Sequence, residues 1–208
     1  MEVFMKKILC TLLCVCMMTT MCSCGYPNES VKAPANWPEY AVGEMQFPCE
    51  AGWTAADVSG FTDAAVEPFQ LVNTSNGVNW VSCLTSPEWA TKTRNFLAIS
   101  YLNMGSEVKD SVLEEQLMSG EELKAAFLNV NMTVSVLSSP EIVKYGDHTV
   151  LTYTCRFAMT DGTKMVVQVG MLGYGDRLYQ FHYVDYQSES KTDALAQILT
   201  GLEWIEKK

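Results

Sequence analysis

Histidine is nearly absent from this chain: His148 and His182 are the only two. A zinc site built on several imidazoles is therefore not expected. No H-E-x-x-H, G-x-S-x-G, P-loop or G-x-G-x-x-G pattern occurs, so the sequence marks of zinc proteases, α/β-hydrolases, nucleotide hydrolases and dinucleotide-binding folds are missing. No C-x-x-C follows residue 24, which leaves out a thioredoxin-like redox motif. Basic residues are scarce, 14 Lys and Arg against 24 Asp and Glu, for a formal charge of −10. A chain this acidic, without a polybasic run, is poorly suited to nucleic acid, whose phosphates call for Lys and Arg, or to anionic lipid headgroups. No apolar run reaches the roughly 20 residues of a membrane-spanning helix. No internal repeat or low-complexity tract is present.

What the chain does have is crowded at its start, MEVFMKKILCTLLCVCMMTTMCSCGYPNES, where five of the eight cysteines fall within 24 residues. Lys6 and Lys7 form a basic head, and Ile8–Met21 is an uncharged, largely apolar run of 14 residues. That is the length of the apolar region of a secretory leader. Met21-Cys22-Ser23-Cys24 resembles the bacterial lipobox, an apolar residue and two small ones before a cysteine that receives diacylglycerol. The resemblance implies removal of residues 1–23 and lipidation of Cys24, with two or three acyl chains, palmitate among them. More than one chain gives stable anchoring, at roughly 0.8 kcal/mol per buried CH₂. Cys22 fits the modified position less well, because Met21 would then occupy a small-residue slot. An ordinary secretory leader with incidental cysteines is the competing reading; a Cys-x-Cys metal pair at Cys22 and Cys24 has no histidine near it. Cys10, Cys14 and Cys16 then serve as small apolar side chains.

Cleavage before Cys24 changes the formal charge to −11, because Lys6 and Lys7 leave with Glu2. The remaining chain is long enough for one domain with a real core. Cys49, Cys83 and Cys155 allow at most one disulfide, so the core rather than bridges is expected to hold the fold. Residues 24–40 contain Pro27, Pro34 and Pro38 and read as an extended stalk, with Trp37 and Tyr40 marking its junction with the domain.

Residues 148–159 alternate strictly. Leu151, Tyr153, Cys155, Phe157 and Met159 point one way and Val150, Thr152, Thr154 and Arg156 the other, the pattern of a half-buried strand. Asp161-Gly162 marks a hairpin, here with a three-residue bulged loop and Met159 set opposite Met165. Met165, Val167, Val169 and Met171 alternate along the next strand. After Gly173-Tyr174-Gly175-Asp176, Tyr179, Phe181 and Tyr183 continue the same apolar face, with Met171 opposite Tyr179. PEIVKY before Gly146-Asp147 supplies a fourth strand. Earlier strands are expected at PFQLV and VNWVSCL, joined through Asn76-Gly77, and at FLAISYL. Ser111…Glu114 and Ser119…Glu122 are capping boxes for helices near 111–118 and 120–129. Their glutamates, Glu114 beside Glu115 and Glu121 beside Glu122, read as helix-capping groups rather than a catalytic pair. Ser190…Asp193 precedes a helix with Leu195, Ile198, Leu199 and Leu202 on one face, and a weaker helix is expected after Trp53. The fold class is α+β, a largely antiparallel sheet with helices packed on it.

Phe47-Pro48 and Gly52-Trp53 resemble the P-x-G-W opening of PsbP-like and DcrB-like domains, with Cys49-Glu50-Ala51 lengthening the spacing. Gly175-Asp176-Arg177-Leu178-Tyr179 and the closing ALAQILTGLEW resemble their final strand and helix. The similarity spans residues 41–208. It implies an α/β/α sandwich and a non-catalytic, membrane-associated domain on the far side of a membrane.

In the expected register, Arg156, Gln168 and His182 form a polar row across three strands, opposite the aromatic core and flanked by Thr152, Thr154 and Gln180. One reading is a hydrogen-bonded seam beneath a helix; the other is a binding face for an anionic group or a partner strand. No catalytic residue, metal ligand or cofactor is assigned. The functional expectation is a lipid-anchored lipoprotein on the extracytoplasmic side of a bacterial membrane, an interaction or assembly module with an envelope protein or other envelope component as partner. A ligand-binding lipoprotein serving a transporter is the alternative, and a small hydrolase lacks a nameable nucleophile and base.

Overall fold

The structure is a computed structural model that describes residues 26–56, 78–87, 95–126, 132–160, 162–186 and 193–205. The leader with Cys24, the PFQLV segment, Asn76-Gly77, Asp161 and Ser190 lie outside the described residues. Among the described residues, ten strands and three helices follow in the order β1 (Glu39–Val42), β2 (Met45–Pro48), β3 (Thr54–Ala56), β4 (Asn79–Thr85), β5 (Phe96–Asn103), α1 (Asp110–Glu115), α2 (Gly120–Ala126), β6 (Met132–Tyr145), β7 (His148–Met159), β8 (Lys164–Tyr174), β9 (Arg177–Asp185), α3 (Ala194–Thr200) and β10 (Glu203–Trp204). The main sheet runs β3-β4-β5-β9-β8-β7-β6 and is antiparallel throughout. A smaller sheet, β1-β2-β10, joins the start of the domain to its end.

Two cores sandwich the main sheet. On one face, α3 and the small sheet bury Leu195, Ile198, Leu199, Met45 and Phe47 against Tyr179, Phe181, Tyr183, Leu172 and Val150. On the other, Leu113 of α1 and Leu123 of α2 cover Leu151, Tyr153, Cys155, Phe157, Val167, Val169 and Met171. Strands β8 and β9 are thus buried on both faces along most of their length. Helices cover both faces of the sheet, as the expected α/β/α sandwich requires.

Turn chemistry sets the register. In the β7–β8 hairpin, Gly162 sits at φ +86° and donates its N–H to Met159 O at 3.0 Å, while Met159 N–H donates to Thr163 O at 2.8 Å. The expected three-residue loop is present, but it places Met159 across from Thr163, so Phe157 rather than Met159 faces Met165. The shift is two residues and preserves the faces. The β8–β9 turn differs more. Tyr174 pairs with Arg177 across a two-residue turn, Gly175-Asp176, with Gly175 at φ +58°, the II′ arrangement that suits strand twist. Tyr179 therefore lies across from Leu172, one residue from the expected pairing with Met171. A one-residue slip exchanges faces, and the aromatic set of β9 turns toward α3.

The helices follow local chemistry in part. Ser119 and Glu122 form a reciprocal capping box, Ser119 N–H to Glu122 Oε2 at 2.7 Å and Glu122 N–H to Ser119 Oγ at 3.2 Å. Ser111 and Glu114 do not: α1 starts after Lys109 with no side-chain cap. Glu114 is used elsewhere, accepting a hydrogen bond from Tyr26 Oη at 2.5 Å. Of the helix expected around residues 55–61, Ala55 and Ala56 belong to the edge strand β3 instead, and residues 57–61 lie outside the described residues. Trp53 is buried and stacks on Tyr183 with ring centroids 5.8 Å apart. Arg177 ties the main sheet to the β1–β2 turn, bonding Glu44 Oε1 at 2.5 Å while lying over the Tyr101 ring.

Cys49, Cys83 and Cys155 are buried and unpaired. Burial pushes each thiol up to about 12, which keeps it protonated and inert. Melting the protein with and without reductant is expected to give the same midpoint; a loss near the 2–5 kcal/mol typical of a removed native bridge contradicts that.

Candidate functional site

The segment expected to be a stalk is bound to the domain over its first part. Lys144 N–H donates to Pro27 O at 2.7 Å and Glu29 N–H donates to Lys144 O at 3.0 Å, so Pro27–Glu29 runs parallel beside β6. Ser30 Oγ accepts from Gly146 N–H at 2.7 Å, and Val31 N–H donates to Thr200 Oγ1 at 3.1 Å. These bonds turn residues 26–31 into a strap from β6 to the end of α3.

The strap encloses a cavity of about 370 Å³ against the α3 face of the main sheet, within the range of small-molecule sites. Its floor comes from strand positions that share one face: Thr152 and Thr154 of β7, with Gln168 of β8 across from Thr154. Gln168 is buried, and its Oε1 accepts the Leu195 N–H at the start of α3 at 3.1 Å. That bond satisfies one donor which a helix start leaves open. Thr152 donates to Val169 O at 2.9 Å. Thr154 is only 3 % exposed. Tyr145 closes one side. Burial pushes its hydroxyl up to about 12, and the charges of Glu29, Glu141 and Asp193 add to the rise. Those three carboxylates stand on the strap, β6 and the lead-in to α3, and all three line the cavity. No Lys or Arg does.

The polar row read from the sequence is not assembled. Arg156 lies opposite Val166, two residues along β7 from Thr154, so it shares the face of Gln168 without opposing it. Arg156 is half-buried, and its Nε has no partner among the described residues. It therefore does not anchor a paired seam. His182 pairs with Val169 and Ala98 on the opposite face. There it is buried beside Gln180, which faces Ser100 and Met171. Of the three residues only Gln168 reaches the cavity, with Thr152 and Thr154 beside it. Glu29, Tyr145, Glu141 and Asp193 were missed, since nothing local in the sequence signals that residues 27–31 return to β6. Cys24 lies outside the described residues.

Among the described residues no three His, Cys, Asp or Glu side chains converge as a metal site. No helix among them is long and apolar enough to cross a membrane. His148 does not face a nucleophile: its Nε2 is 2.8 Å from Leu202 O.

No protein-family model and no curated protein matches the sequence. Solved structures do. The solution structure of cyanobacterial PsbP (CyanoP) from Synechocystis sp. PCC 6803 aligns with a TM-score of 0.52 at 12% identity, covering 88% of this chain and 97% of that one. The crystal structure of LpqN, involved in cell envelope biogenesis of Mycobacterium tuberculosis, aligns with a TM-score of 0.49 at 10% identity over 85% of this chain and 89% of that one. A Bacteroides thetaiotaomicron VPI-5482 protein solved at 1.50 Å gives 0.43 at 11% identity over 79% of this chain, which spans 46% of that protein. The likeness to cyanobacterial PsbP is one of fold, and the expected PsbP-like α+β architecture is borne out.

Proposed function

We propose that the protein is a lipid-anchored lipoprotein on the extracytoplasmic side of a bacterial membrane, a non-catalytic binding module of the cell envelope. The supporting observation is the strap. Tyr26 is bonded to α1 at Glu114, and two residues of extended chain, at most about 7 Å, separate it from Cys24. An anchor at Cys24 holds the domain close to the bilayer, with the strap-lined cavity at the tethered end. The absence of a paired nucleophile and base among the described residues supports a binding role: the three thiols are desolvated and His148 is engaged with backbone. The cavity also favours a second reading, a ligand-binding lipoprotein serving a transporter. Reproducible, saturable thermal shifts with small metabolites favour that reading over an assembly role.

Cys24→Ser is expected to move the protein from the membrane fraction to the soluble fraction and to remove the acyl mass from its N-terminal peptide. Retention on the membrane with an unchanged peptide mass sinks the anchor.

A further inference from the structure

We propose that the outer edge of the main sheet, at residues 132–136 of β6, pairs with the same run of a second copy of this chain. Among the described residues, β6 and β3 are the outermost strands of that sheet. A strand edge carries unpaired N–H and C=O groups, and proteins shield it with short strands, bulges, prolines, charge or added chain. β3 has only three residues. On β6, register shifts between Val136 and Ser138 and between Ser138 and Glu141 interrupt the middle of the strand, and Pro140 stands within the second of them. The strap occupies the edge at Lys144. Residues 132–136 have none of these protections. They read Met-Thr-Val-Ser-Val in unbroken register with β7, and no charged residue occurs from Met132 to Pro140. The pairing depends on neither the anchor nor the cavity.

The hydrogen-bond pattern gives the register. Met159 N–H donates to Thr163 O, and Met159 O accepts from Gly162 N–H, so both backbone groups of Met159 are used on the β8 side. These groups alternate sides along a strand, and Phe157 and Cys155 therefore bond in the same direction. Their partners across from β7, Met132 with Met159, Val134 with Phe157 and Val136 with Cys155, aim N–H and C=O away from β7. Lys144 has the same outward orientation, and there the strap takes both groups. At 132–136 no backbone bond reaches that side among the described residues. Alternate residues with outward groups are self-complementary. An antiparallel copy centred on Val134 sets Val134 against itself and Met132 against Val136, and every outward donor and acceptor is bonded. The contact is two-fold and isologous. Val134 and Val136 are half-buried against the second core, so the valines of the second copy continue that core across the junction. Exposed Thr133 faces Ser135 of the second copy on the other side of the sheet, a favourable cross-strand pair. Charge favours a copy as the occupant. A chain of formal charge −10 meets itself at least cost where neither side carries a carboxylate. The strap does not fill this run, because Tyr26 is already held on α1 by Glu114.

Cysteine cross-linking in intact cells tests the register. Thr133→Cys and Ser135→Cys chains, carrying different tags, are expressed together and oxidised. Their Cα atoms would lie about 4.5 Å apart across a non-hydrogen-bonded pair, within disulfide reach. Cross-linking between unlike tags is expected to exceed that between like tags several-fold, because 133 opposes 135 and neither opposes itself. The native thiols Cys49, Cys83 and Cys155 are buried and stay out of the reaction. Sedimentation equilibrium of the purified full chain, in density-matched non-ionic detergent up to about 1 mM, is expected to show a mass rising toward that of a dimer. The interface is small, so association is weak. Val134→Pro removes an N–H that no bond within the sheet uses, a change edge strands tolerate. It should weaken the dimer about thirtyfold, the loss of two backbone hydrogen bonds. Thr133→Glu with Ser135→Glu sets carboxylates against each other and should hold the chain as a monomer. Mixing that protein with the Thr133→Lys, Ser135→Lys protein should restore a mixed dimer, which a chain that has merely unfolded does not form. A mass that stays at one chain, cross-linking no greater between unlike tags than between like ones, cross-linking to a different protein instead of a second copy, or a Glu and Lys mixture that stays monomeric overturns the proposal.

Discussion

Phe181→Ala is expected to lower the free energy of unfolding by about 3–5 kcal/mol, the range for deleting a buried aromatic ring. Phe181 is fully buried on β9, and β9 is flanked by β8 and β5 near the middle of the main sheet. Its partners in register are Gly170 on β8 and Ile99 on β5. Gly170 has no side chain to move into the vacated volume. A Cβ there would already lie 2.9 Å from Leu199 Cδ1 of α3, so the helix rests on that glycine and on the ring beside it. Poor collapse puts the cost at the upper part of the range, because residual cavity volume adds to the lost transfer energy. Denaturant titration at unchanged m-value measures it. A loss below about 1.5 kcal/mol would mean that the β9 aromatics do not form the centre of the α3-side core.

That core shows where the sequence could be read and where it could not. β7 carries a clean period of two because Thr152, Thr154 and Arg156 interrupt one of its faces, so its location and its Leu151–Phe157 face were legible. β8 reads KMVVQVGML, apolar in both parities. A strand buried on both sides loses the alternation that identifies its faces. Only the turn could then fix the β9 register, and its information lay in the length: two residues, Gly175-Asp176, rather than the apolar matching of Met171 to Tyr179. The helices divide the same way. Ser119 and Glu122 close a local box, which needs no tertiary knowledge, whereas Glu114 is drawn away from Ser111 by Tyr26, a residue 88 positions distant. The cavity was the least legible part. Thr152, Thr154 and Gln168 stood out as polar positions on strands, but their meaning depends on the strap at residues 27–31. Proline there was read as stalk chemistry. Pro27 in fact contributes only a carbonyl, the acceptor for Lys144 N–H, a role that proline's missing N–H leaves intact.

Gly173→Ala is expected to destabilise the domain by about 2 kcal/mol net, and through a different mechanism from the neighbouring Gly175. Gly175 is needed for its positive φ, with open space around it. Gly173 has no positive φ; it is needed for room. A Cβ there would lie 2.6 Å from Val108 Cγ1, 2.8 Å from its Cβ and 2.9 Å from its carbonyl oxygen. Rotating the valine side chain relieves only the first contact. The backbone of the 104–109 segment is fixed to the β8–β9 turn by Val108 N–H to Gly175 O at 2.7 Å and Met104 N–H to Asp176 O at 2.8 Å. Overpacking of this kind costs about 1–3 kcal/mol, and an immovable neighbour sets the upper end. Replacing glycine in a strand returns about 0.5–1 kcal/mol through lower backbone entropy in the unfolded chain, which does not offset it. The consequence travels further than the turn. Val108 leads directly into α1, whose Leu113 is buried in the second core and whose Glu114 holds Tyr26. Lifting the segment loosens the first residue of the strap as well as the sheet. Amide hydrogen exchange on the Gly173→Ala protein should therefore rise at 104–116 and, by loss of the Tyr26 tether, at 28–31, while α3 stays protected. A melting midpoint equal to the wild type would show that the 104–109 segment does not rest on β8.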